Sequence, residues 1–104
     1  MMTVITEVVL SEGAEPEWDA IMRKRLEIAK ERPGWVAGQL LIPLDALNRR
    51  TVVGTWTTRA EWEAWHEDPR FQEPRERLEG LQESASEASW HEVILDARRE
   101  VSTG

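Results

Sequence analysis

The residue types that could do chemistry crowd into one stretch, "GTWTTRAEWEAWHEDPRF", Gly54 to Phe71. Trp56, Trp62 and Trp65 fall within ten residues of each other there, and His66 follows directly. The whole chain holds six tryptophans, one phenylalanine, no tyrosine and two histidines, His66 and His91. An indole offers a flat apolar face and one N–H donor. An imidazole titrates near ~6.5 and can take or give a proton at neutral pH. Together they suit proton transfer on a flat ligand in a site that excludes water. The competing reading is packing. Burying a tryptophan removes about 150–250 Å² from water, or roughly 4–6 kcal/mol as an upper bound, which is reason enough for a small domain to bury rings.

The rest of the inventory excludes several classes of site. The chain has no cysteine, so disulfides, thiolate nucleophiles and Cys-based metal sites are ruled out. Two histidines without helical His-x-x-x-His spacing give no ligand set for a metal, and none is expected. No glycine-rich loop cradles a phosphate, and no Gly-x-Ser-x-Gly elbow is present. Acidic residues outnumber basic ones 20 to 13, for a net charge of −7. That argues against nucleic acid or an anionic membrane as partner. The first residues, "MMTVITEVVL", carry neither a basic n-region nor a long apolar run, so the expected location is cytoplasmic.

The elements that must position these groups follow from pattern. The 104 residues suit one domain, with a polar tail from about residue 98. Thr3–Leu10, Trp35–Ile42, Arg50–Thr57 and Ala88–Ala97 are rich in β-branched and apolar residues and read as strands. Pro16 starts a helix whose apolar face carries Trp18, Ile21, Met22, Leu26 and Ala29, and Pro33-Gly34 ends it. Thr58 and Glu61 form a capping-box pattern, so Trp62, Trp65 and His66 ride on a short helix that Asp68-Pro69 ends or restarts; Pro74 marks a break or new start, and the second helix is expected in two pieces. Element order β-α-β-β-α-β predicts an α+β fold, a ferredoxin-like antiparallel sheet with its helices on one face. The strands are apolar on both faces, and the helices can cover only one. A second copy of the chain is therefore expected against the other, as a homodimer.

The segment "RPGWVAGQLLIPLD…RRTVVGTWTTRAEWEAWHEDPRF" resembles the antibiotic biosynthesis monooxygenase (ABM) domain family. The resemblance rests on Pro33-Gly34 before the second strand, Trp56 closing the third, and an acidic-aromatic helix bearing Trp65. It implies a dimeric α+β barrel. It also implies one of several chemistries, because some members oxygenate aromatic polyketides with dioxygen and no cofactor and others degrade haem. The haem-degrading members use an Asn on strand one, a Trp on the second helix and a His ten residues later. Trp65 matches the Trp, but Arg75 stands where the His would be and Thr3–Leu10 holds no Asn, which speaks against haem. The tyrosine that often holds a phenol in the polyketide branch is missing.

The leading expectation is thus a cofactor-independent monooxygenase acting on a small aromatic or polyketide-like substrate. His66 and His91 are the candidate bases, and Trp56, Trp65, Phe71 and Arg75 the candidate substrate contacts. Trp62 reads as core, and Glu7 and Glu92 lie within strands that could turn them inward. The alternative is a non-catalytic dimeric module that binds a small ligand or serves a structural role. A cavity of about 300 Å³ or more lined by Trp and His favours the first, and solidly packed indoles with solvated histidines favour the second.

Overall fold

A computed structural model describes residues 1–99 of the chain. Strands β1 (Met2–Val9), β2 (Trp35–Leu41), β3 (Arg49–Trp56) and β4 (Glu87–Glu92) form one sheet in the order β2-β3-β1-β4, antiparallel throughout. Helix α1 (Glu15–Ala29) joins β1 to β2. Helices α2 (Arg59–Glu67), α3 (Pro69–Gln72) and α4 (Arg75–Gly80) join β3 to β4. This is the expected ferredoxin-like α+β order, seen in one chain as an open sheet.

Alternation sorts each strand into two sets. Val4, Thr6 and Val8 of β1 stand beside Gly54, Val52 and Arg50 of β3, under the helices. Ile5 and Val9 stand beside Val53 and Arg49 on the other side. Among the described residues, Val4, Val8 and Trp56 on the helix side are buried, while Ile5, Val9 and Val53 opposite are only half-buried. Strand β2 carries a bulge between Trp35 and Ala37. Strict alternation from Leu40 and Gly38 would send Trp35 outward, and one extra residue returns it to the helix side beside Trp56. Gly38 makes this possible, since a Cβ there would lie 2.4 Å from the Trp35 ring.

The core has two parts. Val8, Leu10, Trp18, Met22 and Leu78 form one, and Ala29, Trp56 and Trp65 form the other, with Trp35, Trp62 and Phe71 packed against it. Arg50 is buried near the start of β3 beneath α1, where its Nε and Nη2 donate to the Asp19 carboxylate at 2.8 and 3.0 Å and its Nη1 donates to two backbone carbonyls. Pairing of this kind is what makes a buried guanidinium tolerable.

Two expectations need correction. The second helical region is cut into three pieces, because Pro69 starts a new helix as well as Pro74 ending one. The last strand stops at Glu92, where an end near Ala97 was expected. Glu92 sits opposite Met2, and the Val93 N–H donates to the Met1 carbonyl. Ile94 and Leu95 beyond it are exposed. The expected polar tail lies outside the described residues from Glu100 onward.

Candidate functional site

Between the sheet and its helices lies a cavity of about 340 Å³, lined by residues from β1, β2, β3 and all four helices. Its indole walls are set by local structure. Trp56 ends β3 on the helix side, and Trp35 meets it edge-on at 5.3 Å. Thr58 caps α2 by accepting from the Glu61 N–H at 3.2 Å. Gly34, at φ +86°, packs so closely on the Glu61 side chain that a Cβ would lie 2.5 Å from it, which fixes the start of α2 against the turn before β2. Trp62, Trp65 and His66 therefore leave α2 toward the sheet.

The chain then bends sharply at Asp68. Its carboxylate accepts from the Arg70 N–H at 2.8 Å and from the Arg70 and Arg32 guanidinium groups, and these bonds, Arg70 first, hold its pKa down to about 2. The bend brings Phe71 back over α2, edge-on to Trp65 at 5.7 Å. His66 is held between two rings, 4.1 Å from Trp62 and 3.9 Å from Phe71. Burial, then the charges of Arg25 and Arg75, lower its pKa to about 4, so the imidazole is neutral at pH 7.

Arg25 is the residue the sequence reading missed. Its guanidinium carbon lies 3.6 Å above the Phe71 ring, and its Nη2 donates to the Phe71 carbonyl. Burial first, and then the Arg75 charge, lower its pKa to about 10, which leaves it cationic at neutral pH. A signal was present in the sequence. Arg25 comes seven residues after Trp18 and four before Ala29, so it is a charge set in the apolar stripe of α1. Arg75 also lines the cavity and pairs with Glu79 at 3.1 Å; both are exposed and mark the open side.

Trp56, Trp65, Phe71, Arg75 and His66 are thus brought together around one space. Trp62, expected as plain core, is half-buried and lines it too. His91 is not brought there. It pairs with Thr3 on the far side of the sheet, exposed, with its Nε2 2.9 Å from the Ser89 hydroxyl. Trp90, one residue earlier, faces the helices and meets Trp62 at 5.7 Å. Glu7 and Glu92 are exposed and line no part of this cavity. No group of three or more metal-ligating side chains occurs among the described residues. Nor is any helix among them long and apolar enough to cross a membrane.

The fold and site define a class: a ferredoxin-like α+β unit that holds an aromatic, cationic cavity between sheet and helices. The chain belongs to the antibiotic biosynthesis monooxygenase family, whose model matches residues 1–77. That span holds Arg25 and every ring around His66. Solved structures share the fold at low identity. One is a Nitrosomonas europaea protein assigned to the same monooxygenase group, with TM-score 0.86 and 15% identity over 91% of this chain and 100% of that one. Another is SnoaB, a cofactor-independent oxygenase from Streptomyces nogalater, with TM-score 0.77 and 21% identity over 96% of this chain and 95% of that one. A conserved protein from Methanosarcina mazei Go1 gives TM-score 0.83 and 12% identity over 86% and 89%. Among the curated proteins, none matches the chain.

Proposed function

We propose that the protein is a cofactor-independent monooxygenase acting on a small hydroxylated aromatic or polyketide-like molecule held in this cavity. The observation that carries the proposal is the enclosure of a neutral imidazole, His66, by aromatic rings and two guanidinium groups around about 340 Å³. Family membership and the fold shared with SnoaB support the same reading.

The chemistry runs on the substrate's own electrons. His66 accepts the acidic proton of an anthrone or hydroquinone, and Arg75 holds the resulting oxyanion. A conjugate acid of pKa about 4 is a weak base. The positive field that depresses it also favours the substrate anion, so the two effects oppose one another in the transfer. The anion passes one electron to dioxygen. Substrate radical and superoxide then join as a peroxide, which loses water to leave a carbonyl. One oxygen atom of O₂ enters the product and the other leaves as water, its two hydrogens coming from the oxidised CH₂ of an anthrone, or from one ring C–H and one hydroxyl of a hydroquinone, with the proton taken up by His66 returned in that step.

The proposal includes a homodimer closed through the sheet face that no helix covers. Ile5, Val9, Val53 and Ala37 lie on that face, and Leu41 is 45% exposed there. An obligate interface of this kind buries about 2,000 Å² or more in total.

An oxygen electrode with a panel of anthrones and hydroquinones tests the activity, alongside sedimentation of the same sample at micromolar concentration. Expected are a particle of twice 12.0 kDa and oxygen uptake that falls by about 10²-fold or more in a Trp65→Ala/His66→Ala double variant. Ligand binding without oxygen uptake anywhere in the panel would replace the enzyme with the ligand-binding module. A folded monomer would remove the dimer.

A further inference from the structure

We infer that Arg25 anchors a carboxylate on the cavity's ligand, so that the preferred ligand is a flat aromatic acid and not a neutral arene. The inference deepens the proposed function and rests on the same cavity.

Three observations carry it. First, Arg25 is the cation that belongs to the cavity's wall. It stands on the apolar stripe of α1, under the helices, whereas Arg75 reaches the cavity from the exposed side and already has a carboxylate partner in Glu79. Second, Arg25 is held in place from two sides, by the Phe71 ring 3.6 Å below its guanidinium carbon and by the Phe71 carbonyl. It does not have to be ordered when a ligand arrives, which favours binding. Third, its hydrogen-bonding capacity is only partly filled. A guanidinium has five N–H donors in a rigid fork. The Nε–H is buried with no partner and, among the described residues, no carboxylate lies within ion-pair distance of the group, the nearest influence of that kind being the Glu79 charge.

A half-buried, fixed and only partly filled fork matches a carboxylate, which accepts two parallel N–H bonds from it. The rings beside it supply the rest of the recognition. Phe71, His66 and Trp62 form a row of tilted rings leading away from Arg25, with centroids 3.9 and 4.1 Å apart and planes inclined at 35° and 46°. A planar acid can lie along the edges of this row with its charge at the Arg25 end, leaving its hydroxyl end for His66 and Arg75. Simple ion pairing with the protein does not account for Arg25 in the way that Asp19 accounts for the buried Arg50.

Calorimetry under anaerobic conditions tests this with 6-hydroxy-2-naphthoate and 2-naphthol, which share two rings and a hydroxyl and differ in the carboxylate at the end opposite that hydroxyl. The wild-type protein should bind the acid at least tenfold more tightly. Arg25→Gln should abolish that preference while leaving 2-naphthol affinity within about threefold, and Arg25→Lys should restore part of it. Equal affinity for the two probes in the wild type overturns the inference without the use of any variant. So does an Arg25→Gln variant that weakens both probes by the same factor, because that marks a purely structural arginine. Turnover plays no part in this readout. A preference for the acid with no oxygen uptake keeps the inference and removes the monooxygenase, and the reverse outcome keeps the enzyme and removes the anchor.

Discussion

The two halves of the core use the same residue type to opposite ends. In the aliphatic half, Trp18 is wholly buried among Val8, Leu10, Met22 and Leu78, and its indole N–H donates to the Gln82 side chain at 3.1 Å. Gln82 in turn donates to Ser86 and to the Ser84 carbonyl, tying the chain before β4 to the helix layer. In the aromatic half, the rings meet edge-on or tilted and wall the part of the cavity that holds Arg25 and His66, while Trp18, Val8, Met22 and Leu78 close its other end. Aliphatic side chains flex to fill gaps around one large ring. Several rigid rings together leave gaps between them. A count of tryptophans therefore does not locate a site; the company each ring keeps does.

That contrast can be broken most forcefully at Trp18. Trp18→Ala should destabilise the protein by ~3–5 kcal/mol in urea unfolding, with the cavity it leaves unable to collapse fully. Trp62→Ala, at a half-buried ring, should cost only about 1–2 kcal/mol yet weaken aromatic ligands sharply. If the two variants lost equal stability, the division into packing and walls would fail. A smaller effect is expected at Gly38→Ala. The new methyl must push Trp35 off its seat against Trp56, costing about 1–3 kcal/mol and reshaping the aromatic half while leaving the Trp18 half intact. Ligand affinity unchanged in that variant would show that Trp35 is not part of the wall.

The mildest test is pH. The folded pKa of His66 lies near 4, below its unfolded value of 6.5. As pH falls from about 6.5 toward 4 the unfolded chain takes up a proton that the folded chain refuses, so this residue lowers stability through that window and adds nothing above it. His66→Asn should flatten that part of the stability profile. In the enzyme, the base stays neutral and competent until about pH 4, so the acid limb of kcat/KM should fall there and not near 6.5. An acid limb near 6.5 would mean that the imbedding rings do not control the imidazole.

Much of this was legible in the sequence. The element order, the Thr58 cap and the side on which Trp62, Trp65 and His66 leave α2 follow from local rules about hydroxyls, prolines and periodicity. The break at Asp68-Pro69 was visible, but not that Phe71 would fold back onto His66, because that depends on the Arg32 and Arg70 contacts to one carboxylate across the chain. Trp35 illustrates a different limit. Its face is decided by a bulge, and a single inserted residue reverses a period-two reading without leaving a mark in composition. His91 failed as a cavity residue for the opposite reason, since regular alternation put it on the far face from Trp90. Arg25 was legible in position and was passed over because a lone charge in an apolar stripe looks like a surface residue at the stripe's edge.

The paired indoles have an optical consequence. With no tyrosine in the chain, all near-ultraviolet emission above the weak phenylalanine band comes from tryptophan. Trp35 and Trp56 lie 5.3 Å apart and Trp62 and Trp90 5.7 Å apart, close enough for their excited states to couple and split into a circular-dichroism couplet. Trp35, Trp56 and Trp62 border the same hollow, so its occupancy is written into the absorption of the polypeptide itself. An unlabelled sample should announce a guest by a change in the sign or size of that couplet.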